Sequence, residues 1–143
     1  MEYRPIKVCY KSKVDWQQYL DYIYCSPHFH GKERCDFIML KTADSFIFAR
    51  LAFIFTCAVA EQDYVICLAW PLDSPTGQWQ SKDEELRLHH LHEKSSMEFF
   101  FVGSIVHGAP LIQDFAKSGD YFMMDVIDHT GDMFLCCNEI FPQ

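Results

Sequence analysis

At 143 residues and 16.8 kDa the chain has the length of one domain with a proper core, not two. Half of its residues are hydrophobic and 16% are aromatic, including 13 Phe, which excludes a disordered chain and favours strands over helices. A net charge of −8 and a pI near 5.2 disfavour a protein that lives by gripping phosphates.

In chain order, Tyr3 to Tyr10 reads as a first strand, with Ile6 and Val8 on one face and Pro5 at its start. Arg4, Lys7, Lys11 and Lys13 make the one local basic bias. The N-terminus, MEYRPIKVCY, has no apolar leader pattern, so the expectation is an intracellular protein, nuclear or cytoplasmic. Val14, Trp16, Tyr19, Leu20, Ile23 and Tyr24 recur at spacings of three and four, which predicts a short helix over 14–24 with Asp15 near its start. Cys25 to Arg34, CSPHFHGKER, reads as a polar loop.

Asp36 to Thr42 is the next strand, followed by a turn at Ala43-Asp44 and a long strand over Ser45 to Val59. In that strand Ile47, Ala49, Leu51, Phe53, Phe55, Cys57 and Val59 form one unbroken apolar face at a period of two. The other face is also apolar apart from Arg50 and Thr56, which suits the middle of a sheet or the wall of a small barrel. Arg50 also argues against a membrane span. A turn at Glu61 to Asp63 leads to a strand over Tyr64 to Trp70, ended by Pro71. Strands joined by such short turns make an antiparallel meander.

Asp73 to Asp83 is a loop that carries Trp79. Lys82 to Lys94 mixes helix formers with alternation, and strand is favoured from about Leu86. Met97 to Val102 reads as a strand, Ser104 to Leu111 as a bent stretch, and Ser118 to Asp120 as a turn. Tyr121 to Ile127 and Met133 to Cys137 read as a hairpin through Thr130-Gly131. The expected fold is mainly β, a small antiparallel, partly closed barrel with one short helix near residues 14–24, as a single domain over 1–143.

Chemistry has few footholds. Cys25, His28, His30 and Cys35 are the right ligand types for zinc within one short segment, but the spacing matches no common zinc motif, and a polar connector is the favoured reading. No other cofactor is indicated. If the segment is a strand, His90 and His92 share a face and could bind a ligand or metal together, although an ordinary solvated strand is the favoured reading. Asp120, Asp125, Asp128 and Asp132 are better read as turn formers than as Mg²⁺ ligands. Seven Cys without a CxxC pair read as reduced thiols, with Cys9, Cys57 and Cys67 as small buried hydrophobes. No nucleophile elbow, phosphate-binding glycine loop or HExxH is present, so catalysis is not supported. Trp16, Tyr24 and Trp79 lie in polar neighbourhoods where exposed rings can mark binding sites, although for any one of them a ring folded back onto the barrel is the favoured reading.

Val14-Asp15-Trp16, Cys25-Ser26-Pro27, Phe29-His30-Gly31, Phe46 to Leu51 (FIFARL), Phe53 to Cys57 (FIFTC), Pro71-Leu72-Asp73, Pro75-Thr76-Gly77, Lys82-Asp83, Ser104-Ile105-Val106, Gly108-Ala109 and Asp132 to Leu135 carry a resemblance over most of the chain. The pattern resembles a β-rich accessory region of large fungal transposon-encoded proteins, in or beside transposases of the Kyakuja–Dileera–Zisupton and Plavaka type and C-terminal to the transposase core. SH3-like and bromo-adjacent-homology-like barrels offer a fold analogy. The family pattern has arginines near His89 to Lys94, at His107 and after Leu135, where this chain has His or Cys; no catalytic carboxylate set transfers.

The expected function is therefore a non-catalytic interaction module that binds another protein, such as chromatin or the transposase, without a membrane. Arg50, Trp79, His90 and His92 are its candidate binding residues. A DNA-binding accessory domain is the runner-up, disfavoured by net charge, and a metal-dependent hydrolase comes third.

Overall fold

Alternation and turn chemistry in the middle of the chain translate directly into strands. The computed structural model describes residues 5–12, 15–73 and 88–124. Among them the chain forms β1 (Pro5–Lys11), β2 (Gln18–Phe29), β3 (Lys32–Cys35), β4 (Phe37–Lys41), β5 (Phe46–Val59), β6 (Gln62–Asp73), β7 (Leu88–Glu93), β8 (Glu98–Phe101), β9 (Ile105–Gly108), β10 (Leu111–Gln113) and β11 (Asp120–Met124). A single 3-10 turn, Val102–Ser104, is the one helical element among the described residues. No helix there is long and apolar enough to cross a membrane. The fold is mainly β, and every described strand pairing is antiparallel.

The expected meander is β4-β5-β6. Thr42 Oγ1 donates to the Ser45 carbonyl at 2.8 Å and accepts the Ser45 N–H at 3.1 Å, which tightens the first turn. The second turn is the two-residue loop Ala60-Glu61, one position earlier than the polar run implies. Both residues have positive φ, 49° and 64°, the backbone that matches the twist of a hairpin. Pro71 does not end β6. It pairs with Ala49, and its carbonyl accepts the Lys94 N–H at 2.9 Å, so the strand runs on to Asp73.

Between Leu51 and Phe53 the β5–β6 register shifts: Leu51 faces Ala69, yet Phe53 faces Leu68. Ala52 is the extra residue, a β-bulge. It reverses the alternation, so Leu51 is 0% exposed and Phe53 is 40% exposed. The unbroken apolar face expected from Ile47 to Val59 therefore does not exist. Ala49, Leu51 and Ile54 point to one core, while Phe53 and Phe55 continue the opposite face, that of Phe48 and Arg50.

Residues 18–24 are strand, not helix, because β2 pairs with β1 from Pro5↔Tyr24 to Lys11↔Gln18. Tyr19, Asp21 and Ile23 point inward and Leu20 and Tyr22 outward, so the apparent spacing of three and four came from a strand with large apolar groups on both sides. Trp16 sits ahead of it at φ 62°. Asp15 caps no helix: its carboxylate accepts the Gln17 N–H at 3.0 Å and the Tyr19 hydroxyl at 2.6 Å. Cys25 to Arg34 is likewise a hairpin, β2–β3, turning at His30-Gly31.

The sheets run in the orders β1-β2-β3 and β10-β11-β7-β6-β5-β4-β9, with β8 added beside β6. The end strands β9 and β10 of the larger sheet are joined by Ala109-Pro110 alone, so the sheet must curl to bring its ends together. No pairing closes those ends among the described residues, so the barrel stays open. Inside the curl lie Met39, Phe48, Leu72, Leu91 and Met123. The small sheet covers the other side, where Ile6, Val8 and Ile23 meet Ile38, Leu40, Ala49, Leu51, Ile54 and Cys67. Burial accounts for most of the stabilisation on both sides of β4 and β5.

A polar contact helps to pin the two sheets. Asp21 Oδ2 accepts the Gly108 N–H at 2.7 Å, and a Cβ built on Gly108 would sit 2.8 Å from that oxygen. Gly108→Ala is expected to lower stability by about 1–2 kcal/mol in urea unfolding. Gly103→Ala, where a Cβ meets nothing within 4 Å, is expected to leave it unchanged.

Candidate functional site

Among the described residues, the face reversed by the Ala52 bulge stands open. Register places Phe53 opposite Leu68 and Leu68 opposite Phe99, then Phe55 opposite Ile66 and Ile66 opposite Phe101, then Cys57 opposite Tyr64. All of these side chains share one side of β5, β6 and β8, because directly opposed residues of an antiparallel sheet do. Phe99 is 67% exposed and Phe101 59%, while their neighbour Phe100 turns inward to the core. The rings touch one another: Phe53–Phe55 centroids lie 5.9 Å apart, Phe55–Phe99 6.2 Å and Tyr64–Phe101 6.0 Å. Beside them Phe99, Phe101 and Ile66 border a shallow hollow of about 320 Å³ with Lys41 at its rim.

Arg50 stands on the same face where the open aromatic half meets the covered half. Its Nε donates to Glu93 Oε2 at 2.6 Å and its Nη2 to Oε1 at 3.0 Å, a two-pronged ion pair from β5 to β7. The guanidinium lies 4.1 Å from the Trp70 ring centroid, Trp70 being its cross-strand neighbour. Hydrogen bonding to Glu93 holds the Arg50 pKa above its ordinary value. Burial raises the nearby Tyr121 hydroxyl, with a further push from Glu93.

His90 and His92 do share a face of β7. Pairing of His92 with Asp120 on β11 brings a carboxylate between them. Asp120 is wholly buried and hydrogen-bonds His90 Nε2 at 2.9 Å, His92 Nδ1 at short range, and Lys117 Nζ at 2.9 Å. Burial pushes its carboxyl up, but the bonds from Lys117, His92 and His90 outweigh that and hold it down at about 2. An ionised carboxylate only accepts, so both imidazole nitrogens are donors here. The His90 ring also stacks on Phe122 at 5.1 Å.

The four residues Cys25, His28, His30 and Cys35 do not converge. Cys25 and Cys35 face each other across β2–β3, and the buried Cys25 thiol donates to the Ala52 carbonyl at 2.7 Å. Burial, aided by Cys25, pushes the Cys35 thiol up to about 12. His28 and His30 are exposed, with the His30 ring edge-on to Phe29. Cys67 is buried as expected, its thiol pushed up by burial to about 11, but Cys9 is exposed and Cys57 only half-buried. The expected loop around Trp79 and the hairpin through Thr130-Gly131 lie outside the described residues. Trp16 is exposed, with the Lys11 ammonium 5.5 Å from its ring, and Tyr24 is covered by the Arg34 guanidinium at 4.1 Å.

A cleft of about 620 Å³ runs between the two sheets, with Tyr10, Tyr19, Asp21, Arg34, Asp36 and His107 on its walls. Its charged groups are engaged within the fold: Arg34 Nε donates to Asp36 Oδ1 at 3.0 Å, and Asp21 accepts the Gly108 N–H. No family model, curated protein or solved structure matches the chain.

Phe53, Phe55, Phe99 and Phe101 were not singled out by sequence reasoning as surface residues. The available signal was the run Glu98 to Phe101, EFFF, three successive aromatics in a strand that can bury only every other one.

Proposed function

We propose that the chain is a non-catalytic interaction module that binds another protein through the aromatic face of β5, β6 and β8. The observation that carries this reading is that Phe53, Phe55, Tyr64, Ile66, Leu68, Phe99 and Phe101 line one open side of a three-stranded segment. Contiguous exposed apolar surface of this kind, rich in rings, marks a protein-binding site, because covering it removes that area from water. The acidic balance of −8 suits a basic partner surface, as in chromatin. The resemblance to the accessory region of transposon-encoded proteins supports the same reading, with the transposase itself as the other partner in view.

Photo-crosslinking tests it. A benzophenone amino acid at position 101 is expected to trap one protein in nuclear extract. The same group at position 22, on the small sheet's exposed side, is expected to trap none. Phe53→Ser with Phe99→Ser should abolish the product while the circular dichroism spectrum stays unchanged. Equal trapping from positions 22 and 101 defeats the proposal, as does DNA binding that weakens steeply with salt and survives the two substitutions.

A further inference from the structure

We infer that His90, Asp114 and Asp120 form a binding site for one divalent transition-metal cation, with Lys117 holding the cation's place in the metal-free chain. One donor atom from each of the three lies within 4.8 Å of the other two. A zinc-class ion with bonds of about 2.0–2.2 Å spaces neighbouring donors roughly 3.4 Å apart, so small side-chain rotations suffice. One imidazole and two carboxylates are borderline-to-hard donors, which fits Zn²⁺ or Mn²⁺ with water completing the shell.

The surrounding bonds orient the ligands. His92 Nδ1 holds Asp120 Oδ1, leaving Oδ2 turned to His90 Nε2 and Lys117 Nζ. Asp114 is placed by its own N–H, which donates to the Asp120 carbonyl at 2.8 Å, and its Oδ1 accepts the Ala116 N–H at 2.9 Å. A metal ligand steadied by a second residue in this way is the usual construction. On binding, the His90 ring takes the tautomer protonated at Nδ1, its Nε2 proton exchanged through solvent, so that the Nε2 lone pair meets the cation. The Lys117 ammonium, on a side chain already 66% exposed, swings out into water. This centre lies on β7, the β10–β11 turn and β11, and is independent of the aromatic face.

Calorimetric titration of the chelator-treated 143-residue chain with ZnCl₂ and with MnCl₂, checked by native mass spectrometry, tests the site. One cation per chain is expected. His90→Ala and Asp114→Asn, both at partly exposed positions, should each weaken binding about tenfold or more without altering the circular dichroism spectrum. Lys117→Met should tighten it several-fold, because a competing charge is removed. Either of three results overturns the inference: no cation bound at sub-millimolar concentration, wild-type affinity in the His90→Ala/Asp114→Asn chain, or weaker binding after Lys117→Met.

Discussion

Replacing Arg50 with alanine is expected to destabilise the fold by about 3 kcal/mol, roughly a 10 °C fall in melting temperature, while leaving partner capture unchanged. The Arg50 and Glu93 side chains retain only 23% and 16% of their exposure, so water screens the pair poorly. Truncating Arg50 leaves the Glu93 carboxylate half-buried without its two donors, and removes the cation from the Trp70 ring. The loss comes mainly from that orphaned charge, since a well-packed apolar pair can do as well as a buried ion pair. Arg50→Met combined with Glu93→Leu should therefore recover most of the lost stability in urea titrations. A variant that melts normally but no longer captures its partner would instead move Arg50 into the binding surface.

Much of the fold was open to reading from local pattern. The meander followed from alternation and polar turns, and the pairing of His90 with His92 from their spacing of two. What stayed hidden depends on pairing between distant segments. A bulge is defined by the partner strand: nothing in Leu51-Ala52-Phe53 says that β6 advances one residue while β5 advances two. Without that step Phe53 and Phe55 read as core. Asp120 reads as a turn residue until the β7–β11 register sets it opposite His92. The helix expected at 14–24 failed for the opposite reason. Tyr19, Leu20, Tyr22, Ile23 and Tyr24 are bulky on both sides of a strand, and such a run satisfies a helical template by chance. The hairpin at Cys25 to Cys35 carries Pro27 and Gly31, which read as loop punctuation, yet here they accompany an irregular register between Ser26 and Phe29 and a turn at His30-Gly31.

Two phenylalanines two strands apart in the sheet give the second large contrast, and it bears on function as well as fold. Phe48 is buried in the curl with Met39, Leu72, Leu91 and Met123, and Phe48→Ala is expected to destabilise by about 3–5 kcal/mol in urea unfolding. Phe99, on the same side of the same sheet but past the Arg50 boundary, meets only the Phe55 ring among the ring contacts of the described residues. Phe99→Ala is expected to change stability by no more than about 0.5–1 kcal/mol, since most of its ring is already in water. Phe101→Ser should behave alike, and either substitution should raise the protein concentration at which the chain precipitates. The sequence neighbours of Phe99 are the same in both outcomes; its side is set by pairing with Leu68 on β6, while the bulge sets Phe53 and Phe55 beside it. If Phe99→Ala proves as damaging as Phe48→Ala, the face is core that the chain itself covers, and the docking surface on β5, β6 and β8 is lost with it.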